Sequence, residues 1–147
     1  QVFTVDVGRS TRASASLSGE RMLPSMQSIL GGASGVRGYP EACVAGDQAF
    51  LFSLEYQWKF FSSGAWGLTL APFLDYGKTY IHDLMPHEAE NTLASWGIGL
   101  GMGLPGGGTA RLDFAKPLEE VVNGSGDIRE GTTGDDYRVH ASTQWKF

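Results

Sequence analysis

The sequence predicts an all-β chain: about seven antiparallel strands forming the C-terminal portion of a transmembrane β-barrel. Three observations carry this. Segments up to eleven residues long alternate strictly between aromatic or aliphatic and polar or small side chains. The connections between them alternate short and long. Hydrophobic residues make up 41% of 147, yet the longest undiluted apolar runs, such as Ala49–Phe52, are four residues long. A membrane-spanning helix needs about 18 or more consecutive apolar residues. A barrel strand needs an apolar face on one side only, and so keeps its average hydropathy low.

The strands follow in order. Phe3, Val5 and Val7 oppose Thr4 and Asp6. Ala13, Ala15 and Leu17 oppose Ser14, Ser16, Ser18 and Glu20. From Phe50 to Phe60, one face reads Phe50, Phe52, Leu54, Tyr56, Trp58, Phe60 and the other Leu51, Ser53, Glu55, Gln57, Lys59. Trp66, Leu68, Leu70, Leu74 and Tyr76 share a face interrupted by Pro72; Gly67, Thr69, Ala71, Phe73, Asp75 and Gly77 share the other. Trp96, Ile98, Leu100, Met102 and Leu104 oppose Ser95 and a glycine row at 97, 99, 101 and 103. That row is expected to make room for a folded-in loop. Ala110, Leu112 and Phe114 oppose Arg111 and Asp113. Last, Tyr137, Val139, Ala141, Thr143, Trp145 and Phe147 oppose Arg138, His140, Ser142, Gln144 and Lys146. Successive strand side chains point to opposite faces, so each pattern is a one-sided strand. Eleven residues exceed the usual soluble strand of about 5–6 but match the roughly 9–11 that cross a bilayer at a tilt.

Between strands the connections fall at 8–11, 23–48, 61–65, 81–92, 105–108 and 118–136. Outer-membrane barrels pair short periplasmic turns with long extracellular loops. This parity puts Phe147 on the periplasmic side. Trp58, Phe60, Trp66, Trp145 and Phe147 lie where one interfacial girdle is expected, Tyr76 and Tyr80 at the other. Bacterial barrels have an even strand number from about 8 upward. The remaining strands are expected N-terminal to Gln1 or from another chain. A soluble β-sheet that buries its aromatic face is the competing reading.

Other classes find little support. The formal charge is −5 with no basic cluster, so nucleic-acid binding lacks an electrostatic footing. The lone cysteine, Cys43, excludes a disulfide framework and a cysteine-based zinc site, and it carries no assigned role. Gly101-x-Gly103-x-x-Gly106 matches a dinucleotide fingerprint formally, but it contains Pro105 and leads into a strand rather than a helix. His82, Asp83, His87 and Glu88 read as solvated loop residues, not metal ligands, and Asn123-Gly124-Ser125 as a sequon without meaning in a bacterial loop. No nucleophile–base–orienter set is spaced for catalysis, and the polar faces of the first five strands read mainly as small or scattered polar groups, not paired carboxylates. An enzyme is not expected, and no cofactor or metal is implied.

The connection at 23–48 is long enough to mark a functional loop. It carries Gly31-Gly32-Ala33-Ser34-Gly35-Val36-Arg37-Gly38-Tyr39-Pro40-Glu41. Glycines on both sides of an arginine allow a sharp tip that projects the side chain. Val36-Arg37-Gly38-Tyr39 after Gly31-Gly32, followed by Gly46-Asp47 and an aromatic strand, resembles the VRGY/F motif of outer-membrane assembly and secretion barrels. Phe73-Leu74-Asp75-Tyr76-Gly77 resembles their F-x-D-x-G strand. The ending from Arg138-Val139-His140 to Phe147 resembles the last strand of the two-partner secretion transporters, the haemolysin secretion and activation proteins (ShlB/FhaC/HecB type) within the BamA-like superfamily. Essentially the whole chain takes part.

The resemblance implies a barrel of about sixteen strands preceded by periplasmic POTRA domains, with residues 1–147 as its last seven strands. It also implies that the 23–48 loop folds into the lumen and that Arg37 pairs with Asp75 on the wall. The alternation independently puts Asp75 on the polar face. Trp145 and Phe147 resemble a C-terminal signal read by the outer-membrane assembly machinery. The expected function is secretion of a large exoprotein, of haemolysin or adhesin type, across the outer membrane of a Gram-negative bacterium. The expected partners are that exoprotein, outer-membrane lipid and the assembly machinery. A BamA- or TamA-like insertase is the nearest alternative, and a passive porin a further one.

Overall fold

The computed structural model describes residues 2–7, 11–16, 28–63, 66–81, 90–122, 127–128, 132 and 137–145. The chain is all-β. Its strands are β1 (Val2–Val7), β2 (Thr11–Ser16), β3 (Ser28–Leu30), β4 (Val44–Gly46), β5 (Gln48–Glu55), β6 (Trp58–Ser63), β7 (Trp66–Tyr80), β8 (Thr92–Leu104), β9 (Gly108–Pro117) and β10 (Arg138–Trp145). The main sheet runs β1-β2-β5-β7-β8-β9-β10, every pair antiparallel, with β6 continuing β5 along β7. This meander has the seven barrel-type strands that the alternation predicts.

The sheet is inside out relative to a soluble one. Its aromatic and aliphatic face is the exposed one: Leu54, Trp58, Trp66, Leu74, Trp96, Ile98, Leu100, Leu112 and Phe114 all stand open. Its polar face is the covered one, with Glu55, Asp75, Thr79, Ser95 and Asp113 buried. An apolar surface this extensive requires an apolar medium, and alternating strands supply one in the lipid-facing band of a barrel.

One predicted strand is two. The Phe50–Phe60 ladder lapses after Glu55 because the next residue, Tyr56, stands opposite Pro72. Glu55 pairs Phe73 and Trp58 pairs Leu70 in the same register, so only the pairing between them is missing. Tyr56 N–H still donates to the Pro72 carbonyl (3.1 Å). Proline has no N–H to return the bond, so the ladder lapses for two residues. A bulge then lies between Lys59 and Phe61, and Phe61, not Phe60, stands opposite Leu68. Phe61 therefore joins the exposed aromatics at that end, with Trp58, Trp66 and Trp145.

At the base of the 23–48 loop, β3 and β4 form a short antiparallel ribbon. One further expectation needs correcting. The glycine row of β8 makes room for neighbouring strands' side chains, not for the loop. A Cβ at Gly97 would collide with the Phe73 ring and the Phe114 carbonyl, and one at Gly99 with Asp113 and Arg111. The loop's own clearance is Gly77, where a Cβ would come within 2.8 Å of Val36 and 2.9 Å of Leu30. The expectations at Leu17, Ser18, Glu20, His82, Asp83, His87, Glu88, Asn123, Gly124, Ser125, Lys146 and Phe147 lie outside the described residues.

Where the loop meets the polar face, Leu30, Val36, Tyr39, Cys43, Val44, Ala49, Leu93 and Val121 form an apolar core. It joins the loop to the long-connection ends of β5 and β8 and to the segment after β9. Cys43 is a packing residue of this core.

Gly97→Ala is expected to cost about 1–3 kcal/mol by overpacking against Phe73. Gly101→Ala should be close to neutral, because its Cβ would meet only Thr69 at 3.5 Å. Thermal unfolding in detergent micelles checks the contrast; equal melting temperatures for the two variants would contradict it.

Candidate functional site

Period-2 alternation puts Ser53 and Glu55 of β5, Phe73 and Asp75 of β7, and Arg111 and Asp113 of β9 on one face. The register lines them up. Ser53 stands opposite Asp75, and Asp75 opposite Ser95. Glu55 stands opposite Phe73, and Phe73 opposite Gly97. Gly99 separates Ala71 from Asp113, and Gly101 separates Thr69 from Arg111. Small residues on β8 thus let groups from β5, β7 and β9 converge across it.

The loop brings Arg37 into the middle of this array. Gly31, Gly32 and Gly38 all hold positive φ, and at the last two the causes differ. Gly32 has φ +88°, and the Glu41 carboxylate fills the space a Cβ would take. From there Glu41 accepts the Ala33 N–H at 2.8 Å. Gly38 has φ +96° and lets the backbone pass the strands; a Cβ there would meet Ser95 and Ala115 at 3.3 and 3.4 Å. Both conformations disfavour any residue with a Cβ.

Arg37 grips Asp75 with both sides of its fork. Nε donates to Oδ2 at 2.7 Å and Nη2 to Oδ1 at 2.9 Å. The Arg37 backbone N–H also reaches Oδ2 at 3.2 Å, and the Ser53 hydroxyl donates to Oδ1 at 2.6 Å. Asp75 therefore accepts four hydrogen bonds, and its side chain has no exposed surface. The remaining arm, Nη1, donates to Glu55 Oε2 at 2.7 Å. The guanidinium carbon lies 3.5 Å from the Phe73 ring centroid, a cation–π seat. Burial opposes the charge on Arg37. The Asp75 and Glu55 carboxylates outweigh that burial and raise its pKa above the ordinary value.

Glu55 is shared with a second cation. Arg111 donates to Glu55 Oε1 at 2.9 Å and Oε2 at 2.6 Å, and also to both oxygens of Asp113. Gln57 donates to Glu55 Oε1 at 2.9 Å. The polar face therefore holds three carboxylates bridged by two guanidinia, which corrects the expectation of scattered polar groups. Ser53, Glu55, Arg111 and Asp113 carried no assigned role in the sequence. Their parity was visible, but their convergence depends on cross-strand register.

Tyr39 is fully buried, and its hydroxyl lies between β8 and the chain leaving β9. It accepts N–H groups from Ala94 (3.2 Å) and Glu119 (3.1 Å). Burial raises the phenol's pKa, and backbone hydrogen bonds from Glu119 and Ala94 only partly oppose this. Gly31, Gly32 and Val36 shape the loop and Gly77 clears its path. Trp145 stands exposed on β10, opposite Gly108.

The apolar exposed face and the arginine loop docked on the polar face define a protein of outer-membrane β-barrel type. The chain belongs to the Omp85 superfamily, whose domain matches residues 3–141. Comparison with curated proteins and with solved structures gives no match. Membership places the protein in the outer membrane and its role in protein transport or assembly there.

Asp75→Asn keeps the shape of the wall but removes the charge that Arg37 faces. Losing one partner of a buried pair costs about 3–5 kcal/mol. Residues 31–39 are expected to gain amide exchange in Asp75→Asn while the β7–β8 ladder keeps its protection. Unchanged exchange in the loop would contradict the assignment of Asp75 as its anchor.

Proposed function

We propose that the protein is a two-partner secretion transporter. Residues 1–147 form the C-terminal strands of its barrel, and a large unfolded exoprotein of haemolysin or adhesin type crosses the outer membrane through it. The observation that carries the reading is the loop latch: a buried guanidinium bound bidentately to Asp75 and also to Glu55. A passive porin would predict open conductance and no role for Arg37. Gly46-Asp47 behind the loop and the Arg138-Val139-His140 strand favour secretion over a BamA- or TamA-like insertase.

In this reading the Arg37 loop organises the lumen and Asp75 is its wall partner. Periplasmic POTRA domains capture the exoprotein, and its folding outside the cell draws the chain through. No bond is made or broken, and no cofactor takes part. The C-terminus lies on the periplasmic side, where Trp145 and Phe147 present the assembly machinery with its recognition signal.

Arg37→Ala, Asp75→Ala and the double variant are each expected to impair exoprotein secretion and to make single-channel conductance noisier. The double variant should be no worse than either single one, because all three remove the same pair. Additive losses would refute the latch. Normal secretion accompanied by depleted outer-membrane proteins would favour the insertase reading. Deleting Phe147 is expected to lower outer-membrane insertion, measured by heat-modifiable mobility. Unchanged insertion would remove its role as a signal.

A further inference from the structure

On its β7 side, β8 is paired as far as Thr92, opposite Lys78. On its β9 side the ladder stops earlier, at Ser95 opposite Pro117. Pro117 has no N–H to offer, and the chain beyond it turns away. Leu118 N–H still donates to the Ala94 carbonyl at 2.8 Å. In that register Ala94 stands opposite Leu118, but its own N–H goes to the Tyr39 hydroxyl at 3.2 Å instead of closing the pair.

The Tyr39 hydroxyl fills that gap. It accepts both N–H groups, and its own O–H lies 2.8 Å from the carbonyls of Ala94 and Glu119. A phenol has one proton, so it donates to one carbonyl at a time while its oxygen accepts the two amides. One side-chain oxygen thus occupies the position where a further strand pair would otherwise form. The same ring packs in the core that contains Leu93 and Val121, which fixes the hydroxyl's position.

We infer that the Tyr39 hydroxyl is a positioning group. It ends the β8–β9 ladder and holds the chain at Glu119 against the docked loop, coupling the loop to the start of the connection between β9 and β10. The inference does not depend on whether the protein secretes or assembles its clients. Phenylalanine at this position would keep the ring and the packing but leave two amides and a carbonyl without their partner. The amides of Val121 and Val122 make a contrast, because they donate to Thr132 and Asn91.

Residue-resolved amide exchange of the protein in lipid nanodiscs, wild type against Tyr39→Phe, tests this. Exchange at Ala94 and Glu119 is expected to rise about tenfold, in keeping with the loss of a net hydrogen bond. The β5–β7 ladder amides should not change. Equal rates in the two proteins would overturn the inference, as would acceleration spread evenly over β5 and β7. A second measurement needs no variant: in wild-type protein with labelled tyrosine, the Tyr39 hydroxyl proton should exchange slowly and be resolved. Exchange at the rate of solvent-exposed phenols would overturn it equally.

Discussion

A carboxylate with no exposed surface must have its charge met, and Asp75 has its charge met by a loop rather than by its own sheet. Taking an ion out of water costs several kcal/mol, and only close, fully hydrogen-bonded partners offset it. Four donors converge on Asp75, and three of them belong to Arg37. The loop's position follows from that requirement. Gly77 keeps the wall clear for Val36 and Leu30, Gly38 lets the backbone pass β8, and Gly97 lets the Phe73 ring lie beneath the guanidinium. Each glycine is explained by the group it admits.

The same charges explain why the sheet is inverted. A cluster of five ionised groups cannot face hydrocarbon, so it marks the side away from lipid. The aromatic face can, and its strands expose the large side chains a soluble sheet would hide. Arg111 adds a layer to the arrangement. It is anchored on β9 and holds Glu55 and Asp113 through residues of the wall alone. Glu55 thus has a cation from the wall as well as from the loop, whereas Asp75 has Arg37 and the Ser53 hydroxyl. Of the carboxylates within ion-pair distance of Arg37, Asp75 is the one whose cation comes from the loop alone.

Alternation in the sequence was enough to reveal the seven barrel-type strands and the side on which Asp75 lies, because side-chain direction in a strand is a local property. Arg37 stood out through its flanking glycines. The Pro72 lapse and the bulge after Lys59 were harder to see, since each depends on the neighbouring strand as much as on its own. The β3–β4 ribbon is three residues a side, too short for alternation to register. The second cation, Arg111, lies 56 positions from Glu55. Nothing local at either residue states that they meet. The Tyr39 hydroxyl is a similar case: the motif contained the residue, but its partners are the main chain of two distant segments.

The sequence separation of these contacts orders the steps by which the molecule can be built. Arg37 precedes Asp75 by 38 residues, and Tyr39 precedes Glu119 by 80. The loop is made early in the chain, but its receptor exists only once β7, β8 and β9 have paired. Docking must therefore be a late event, slow to reach because it waits on non-local ladders. A chain with misregistered β8 and β9 would offer Tyr39 no matching pair of amides, and the loop would stay out. The seated loop therefore depends on the β7–β8 and β8–β9 registers at once, since its two anchors, Asp75 and the Ala94–Glu119 pair of amides, lie on different ladders.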